Sequence, residues 1–83
     1  MKLLKFYADW CAPCKMQSTI IEQAGDKITV PVVNIDIDND IMTTVTHGVR
    51  GVPTMILKDD NDTELKRHVG LMKETELVEW LKA

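Results

Sequence analysis

Two cysteines, Cys11 and Cys14, are the only ones among 83 residues, and they stand three positions apart in Trp10-Cys11-Ala12-Pro13-Cys14. A mostly apolar run, Leu3 to Ala8, precedes them and reads as a strand; the residues that follow have helical spacing. A dithiol at a strand-to-helix junction suits reversible two-electron thiol–disulfide exchange. The thiolate is the attacking species, so the first cysteine needs a lowered pKa. Cys11 falls at the start of the helix, where unpaired backbone N–H groups and roughly half a positive charge from the macrodipole favour an anion. Cys14 lies one turn further in and is more shielded. It is placed to attack a mixed disulfide on Cys11 and release the reduced partner.

Two other uses of the pair need weighing. A permanent crosslink around two residues removes little chain entropy, roughly 2 kcal/mol before strain, and a reducing compartment opposes it. Zinc could draw on Cys11, Cys14, His47 and His68, but the histidines lie far apart in the sequence instead of three to five residues apart, and Pro13 stiffens the loop. Neither histidine is assigned a role; both read as surface residues. No metal and no organic cofactor is expected.

Composition narrows the class. The length predicts one domain spanning 1–83. A net charge of -3 with no basic block argues against a nucleic-acid surface. Lys5 and Asp9 interrupt the N-terminal apolar run and no small-residue cleavage site follows, so it does not read as a secretory signal. No stretch is apolar enough to span a bilayer. These features predict a cytoplasmic monomer with no membrane or nucleic-acid partner.

The elements that must position the cysteines follow from periodicity. A first strand covers 2–8, and its near-continuous apolar character fits burial on both faces, Lys5 excepted. A helix runs from about 11 to 24, with Met16, Ile20, Ile21 and Ala24 in helical register and Gly25 as its stop. Pro13 falls in its first turn, where a missing N–H costs no intrahelical bond. A second strand covers 28–37. Pro31 within it cannot donate to a ladder, which predicts a sheet edge. Asp36, Asp38, Asn39 and Asp40 supply capping chemistry for a short helix, 39–47, weakened by three threonines and ended by Gly48. Strands at 54–58 and 63–69 flank the turn Asp59-Asp60-Asn61-Asp62 and form a hairpin. A last helix, 73–82, packs through Leu77, Val78, Trp80 and Leu81. The order is βαβαββα. A right-handed crossover makes the first two strands parallel. The fold class is therefore α/β, a four-stranded mixed sheet with helices on both faces.

This order, with Trp10-Cys11-Ala12-Pro13-Cys14-Lys15 early and Gly48-Val49-Arg50-Gly51-Val52-Pro53-Thr54 later, resembles the thioredoxin family over nearly the whole chain. Gly70 matches a third family position. The resemblance implies a minimal thioredoxin-like fold and a protein-disulfide reductase or dithiol electron carrier, with Cys11 as nucleophile and Cys14 as resolving thiol. It implies a cis peptide before Pro53, which leaves the Val52 backbone free to pair with an extended substrate. Trp10, Val52, Pro53 and Gly70 then form the docking surface, with Gly51 and Gly70 admitting a partner's backbone. Lys15 and Arg50 read as solvated charges. The implied partners are a thioredoxin reductase-like donor and disulfide-containing proteins, a ribonucleotide reductase among them.

Two departures from the family stand out. The usual strand and helix before the active-site strand are missing from this sequence, as in glutaredoxins and small phage or bacterial thioredoxins. The family's buried aspartate, six residues before the first cysteine, is replaced by Lys5, and its partner lysine by Val32. By alternation Lys5 shares a face with Leu3 and Tyr7, under the active-site helix. An ammonium about 6 Å from a thiolate, at an effective dielectric near 20, favours the anion by roughly 3 kcal/mol, so Lys5 is a possible pKa modulator; an outward-bent, solvated lysine is the alternative. A glutathione-dependent, glutaredoxin-like reductant is the rival activity, although Gly70-Leu71-Met72-Lys73 lacks the glycine and acidic pairs often found there. A non-redox subunit that binds a partner through the apolar patch is the alternative from another class.

Overall fold

The computed structural model describes residues 1–83. Its elements are β1 (Lys2–Tyr7), α1 (Ala12–Ala24), a single 3-10 turn (Gly25–Lys27), β2 (Val32–Asp36), α2 (Ile41–Thr46), β3 (Thr54–Lys58), β4 (Glu64–Val69) and α3 (Glu74–Lys82). This is the βαβαββα order read from periodicity. The strands lie side by side as β2-β1-β3-β4. β1 runs parallel to β2, with Leu3 opposite Val32 and Tyr7 opposite Asp36. β1 is antiparallel to β3, and β3 to β4.

β2 is shorter than its apolar pattern predicts. The chain first makes the 3-10 turn, and Ile28 and Val30 then pack against the core without joining the ladder. Pro31 stands just before the strand, and its carbonyl accepts the Leu3 N–H at 2.8 Å. A proline can accept from a neighbouring strand but cannot donate, so the ladder starts one residue later, on the sheet edge that Pro31 predicted. α2 is also shorter than expected. Asp40 is its N-cap and accepts the Thr43 N–H at 3.1 Å, which sets the first turn at Ile41.

β1 and β3 are the two central strands and bury both faces. On one face Leu3, Met55, Met72 and Leu77 form a core against Ile20 and Ile21 of α1 and Trp80 and Leu81 of α3. On the other, Leu4, Phe6, Ile35 and Ile56 pack with Ile37, Val49 and Val52. The α2 side covers this second face, where the His47 ring stands 5.6 Å from that of Phe6. Each fully buried Leu or Phe contributes about 1.5–3 kcal/mol, so the sheet that carries the dithiol is anchored from both sides. No helix is long and apolar enough to cross a membrane.

Candidate active site

Cys11 is the N-cap of α1. Its backbone is extended (φ -94, ψ 103), and its sulfur accepts the Cys14 N–H at 3.1 Å. The Cys11 N–H donates to the Ala8 carbonyl at 3.1 Å, which ties the cap to the end of the β1 segment. Pro13 sits in the first turn as expected, and the Lys15 N–H makes the first helical bond, to the Cys11 carbonyl. Cys11 and Cys14 form a disulfide with their Cα atoms 5.2 Å apart. Both are buried in this oxidised state, at 4 % and 2 % exposure, so the contrast in shielding between them is small. Ala8 completes their cluster, and Tyr7, Ile37 and Val52 pack around it.

The other expected site residues surround this point. Trp10 is 69 % exposed. Its indole N–H donates to Asp38 at 2.9 Å, which fixes the ring orientation on the surface. The sequence marks Asp38 only as a capping residue, because its pairing with Trp10 spans 28 positions and has no local signature. The Val52–Pro53 peptide is cis. No backbone hydrogen bond within the chain engages the Val52 N–H or C=O. The Pro53 carbonyl accepts the Gly70 N–H at 2.9 Å, which brings the third motif against the second. Gly70 has φ +106, a backbone that side chains rarely adopt, whereas Gly51 has no such requirement. Lys15 and Arg50 are exposed.

Lys5 is buried, at 3 % exposure, so it is not an outward-bent lysine. Its ammonium donates to the Ser18 hydroxyl and lies 5.6 Å from the centre of the Tyr7 ring. Ser18 is one helical turn past Cys14. No carboxylate pairs with Lys5, and a cavity of ≈ 240 Å³ lined by Lys5, Tyr7, Ser18 and Asn34 opens beside it. Burial pushes the Lys5 amine below its ordinary value of 10.5.

The histidines do not converge on the cysteines, and both are half-buried instead of free on the surface. The Nδ1 of His47 lies 2.8 Å from the Thr43 carbonyl and its Nε2 2.9 Å from the Lys58 ammonium. His68 packs edge-on against Trp80 on the opposite face of the sheet. No cluster of three His, Cys, Asp or Glu side chains is spaced to hold a metal ion. The largest cavity, ≈ 410 Å³ between Lys27, Thr29 and α3, shares no residue with the dithiol. No cavity is lined by either cysteine. One polar residue near the site escaped the sequence reading. Gln17, fully buried, bonds the Met72 backbone. Its signal is a single amide on the buried stripe of Cys14, Gln17 and Ala24.

Comparison with known proteins agrees with this geometry. The family model for thioredoxin matches residues 1–83. The thioredoxin of Rhodospirillum rubrum is 35 % identical over 82 residues, which cover 94 % of this chain and 76 % of that one. The thioredoxin of Pseudomonas aeruginosa is 34 % identical over 85 residues, covering 98 % and 76 %. Among solved structures, a point-mutant thioredoxin from Halobacterium salinarum superposes with a TM-score of 0.88 at 36 % identity, covering 98 % of this chain and 71 % of its own. A malaria parasite thioredoxin-2, described as a component of the parasite's protein secretion machinery, gives 0.88 at 28 % identity, covering 98 % and 80 %. With a Cys11–Cys14 disulfide at the tip of α1, the Cys11 sulfur as its cap, and a cis peptide before Pro53, the chain belongs to the thioredoxin family and is a thiol–disulfide oxidoreductase.

Proposed function

We propose that the protein works as a protein-disulfide reductant, a single-domain monomer of the cytoplasm that takes electron pairs from a thioredoxin reductase-like flavoenzyme. The observation that supports this most is the Cys11 sulfur accepting a helix N-terminal N–H beside an unpaired Val52 backbone. In the reduced protein the Cys11 thiolate attacks one sulfur of a substrate disulfide. The substrate S–S bond breaks, its second sulfur leaves as a thiolate and takes a proton, and a mixed disulfide forms on Cys11. Cys14 then loses its proton and attacks the Cys11 sulfur. The mixed disulfide breaks and the Cys11–Cys14 bond forms. The substrate has gained two electrons from the pair and two protons, one from Cys14 and one from solvent; two electrons and one proton from the donor then restore the Cys11 thiolate and Cys14 thiol.

Trp10, Val52, Pro53 and Gly70 serve as the docking surface in this reading. An extended substrate segment adds to the Val52 backbone as a strand would, with the Trp10 indole as an apolar platform beside it. Disulfide-containing proteins are the substrates, a ribonucleotide reductase among the candidates. Lys5 acts as a pKa modulator of the dithiol: its buried charge, held on Ser18 of the same helix with no carboxylate to neutralise it, favours the anionic form of a nearby sulfur. Lys5→Ala then moves thiolate formation to higher pH, and an unchanged thiol titration in the variant removes Lys5 from the mechanism.

Insulin-disulfide reduction with each candidate donor tests the reading. Turnover is expected with thioredoxin reductase and NADPH. Turnover that requires glutathione in place of the reductase assigns the glutaredoxin-like activity, and function that survives replacement of both cysteines by serine assigns a non-redox subunit.

A further inference from the structure

Gln17 is the one fully buried polar side chain of α1, and it lies three residues past Cys14. Its carboxamide is spent on a single residue 55 positions away. Nε2–H donates to the Met72 carbonyl at 3.1 Å, and Oε1 accepts the Met72 N–H at 2.8 Å. The side chain thus behaves as a borrowed peptide group. It completes the backbone of a segment that leaves the sheet after Val69 and enters α3 only at Glu74. No other hydrogen bond joins α1 to the 70–73 segment.

Two residues earlier, the Gly70 N–H donates to the Pro53 carbonyl at 2.9 Å. The segment is therefore tethered at both ends of a three-residue span, at Gly70 to the cis-proline corner and at Met72 to the dithiol helix. Leu71, between the tethers, is exposed, whereas Met72 is buried. Three parts of one surface, each from a different stretch of sequence, are held in register by backbone groups and one amide.

We propose that Gln17 is a positioning residue for protein substrates: it sets the Gly70–Leu71 segment against the dithiol and so determines how a macromolecular disulfide seats over Cys11. The inference rests on the reading that protein substrates dock over Pro53 and Gly70. An apolar side chain of the same size fills the space but leaves the Met72 N–H and C=O without partners. Buried peptide groups do not stay unpaired, so the segment must turn that peptide toward water and carry Leu71 with it. A small disulfide that touches only the Cys11 sulfur does not sense the change.

The test compares the full-length reduced protein with its Gln17→Leu and Gln17→Glu variants. Each is oxidised by insulin and by dithiobis(nitrobenzoate), and the second-order rate constants are read by stopped-flow tryptophan fluorescence. For Gln17→Leu the insulin rate is expected to fall about tenfold while the small-disulfide rate stays within about twofold. Gln17→Glu keeps the shape. Its neutral carboxyl can make both bonds and its carboxylate only one, so its insulin-to-small-disulfide ratio recovers toward wild type as pH falls, which keeps the test open if Gln17→Leu does not fold. Equal loss with both oxidants, an unchanged insulin rate in folded Gln17→Leu, or a Gln17→Glu insulin-to-small-disulfide ratio that does not change with pH relative to wild type overturns the role of Gln17. A wild-type protein that reacts with the small disulfide but not with insulin overturns the docking reading itself.

Discussion

The Cys11 sulfur and the Cys14 backbone N–H lie 3.1 Å apart, so one cysteine caps the helix with the amide of the other. A hydroxyl or carboxylate usually does this work. A neutral thiol is a weak acceptor and a thiolate a far better one. Ionisation of Cys11 and closure of the first turn of α1 therefore reinforce each other.

From this contact, the Cys11 thiolate in the reduced protein forms below the ordinary cysteine value of about 8.5. Ultraviolet thiolate absorbance of a Cys14→Ser variant, titrated against pH, reads it without interference. Titration at or above the ordinary value would remove the cap from the mechanism.

The two sulfurs differ in their consequences when replaced. Cys11→Ser has no nucleophile and is expected to lose all disulfide reduction. Cys14→Ser still attacks but cannot resolve, so it accumulates a covalent mixed disulfide with its substrate, visible as an added mass that dithiothreitol removes. Trapping through Cys14 in Cys11→Ser, with none in Cys14→Ser, would reverse the assignment.

Lys5 carries a stability prediction separate from the role proposed for it at the thiols. Burial holds its amine below 10.5 in the folded state. Between that lowered value and 10.5 the unfolded chain binds more protons than the folded one, so stability rises with pH across this window and is lost as pH falls through the folded value. Lys5→Met abolishes that slope. At neutral pH it is expected to stabilise the fold by about 1–4 kcal/mol, because a desolvated charge without a carboxylate partner gives way to apolar packing. Urea unfolding of both proteins from pH 7 upward checks the sign. A Lys5→Met protein less stable than wild type at pH 7 contradicts it.

Gly70 is constrained by its backbone and not by its surroundings. At φ +106 an added Cβ meets no atom within 4 Å. Gly70→Ala is therefore expected to cost about 1–3 kcal/mol through conformation alone. It should also loosen the bond to the Pro53 carbonyl. Equilibrium unfolding measures the cost; a neutral substitution would show that the segment shifts freely.

The sequence by itself determined the order of elements, the dithiol at the tip of α1 and the edge position of β2. Each follows from short-range rules: spacing by two or by 3.6 residues, a proline without an N–H, a cap at a helix start. The same rules missed the late start of β2, because apolar residues at Ile28 and Val30 carry the pattern of a strand whether they join a ladder or pack beside one. They predicted Lys5 on the α1 face by alternation, yet could not choose between a side chain bent to water and one held under the helix. That choice belongs to Ser18 of α1 and Asn34 of β2, which arrive from other elements, with Tyr7 beside it on its own strand. Gln17 with Met72 and Trp10 with Asp38 are pairings of the same kind. Only the tertiary structure decides them, because a polar side chain finds its partner wherever the packed chain places one, and that position depends on every element at once.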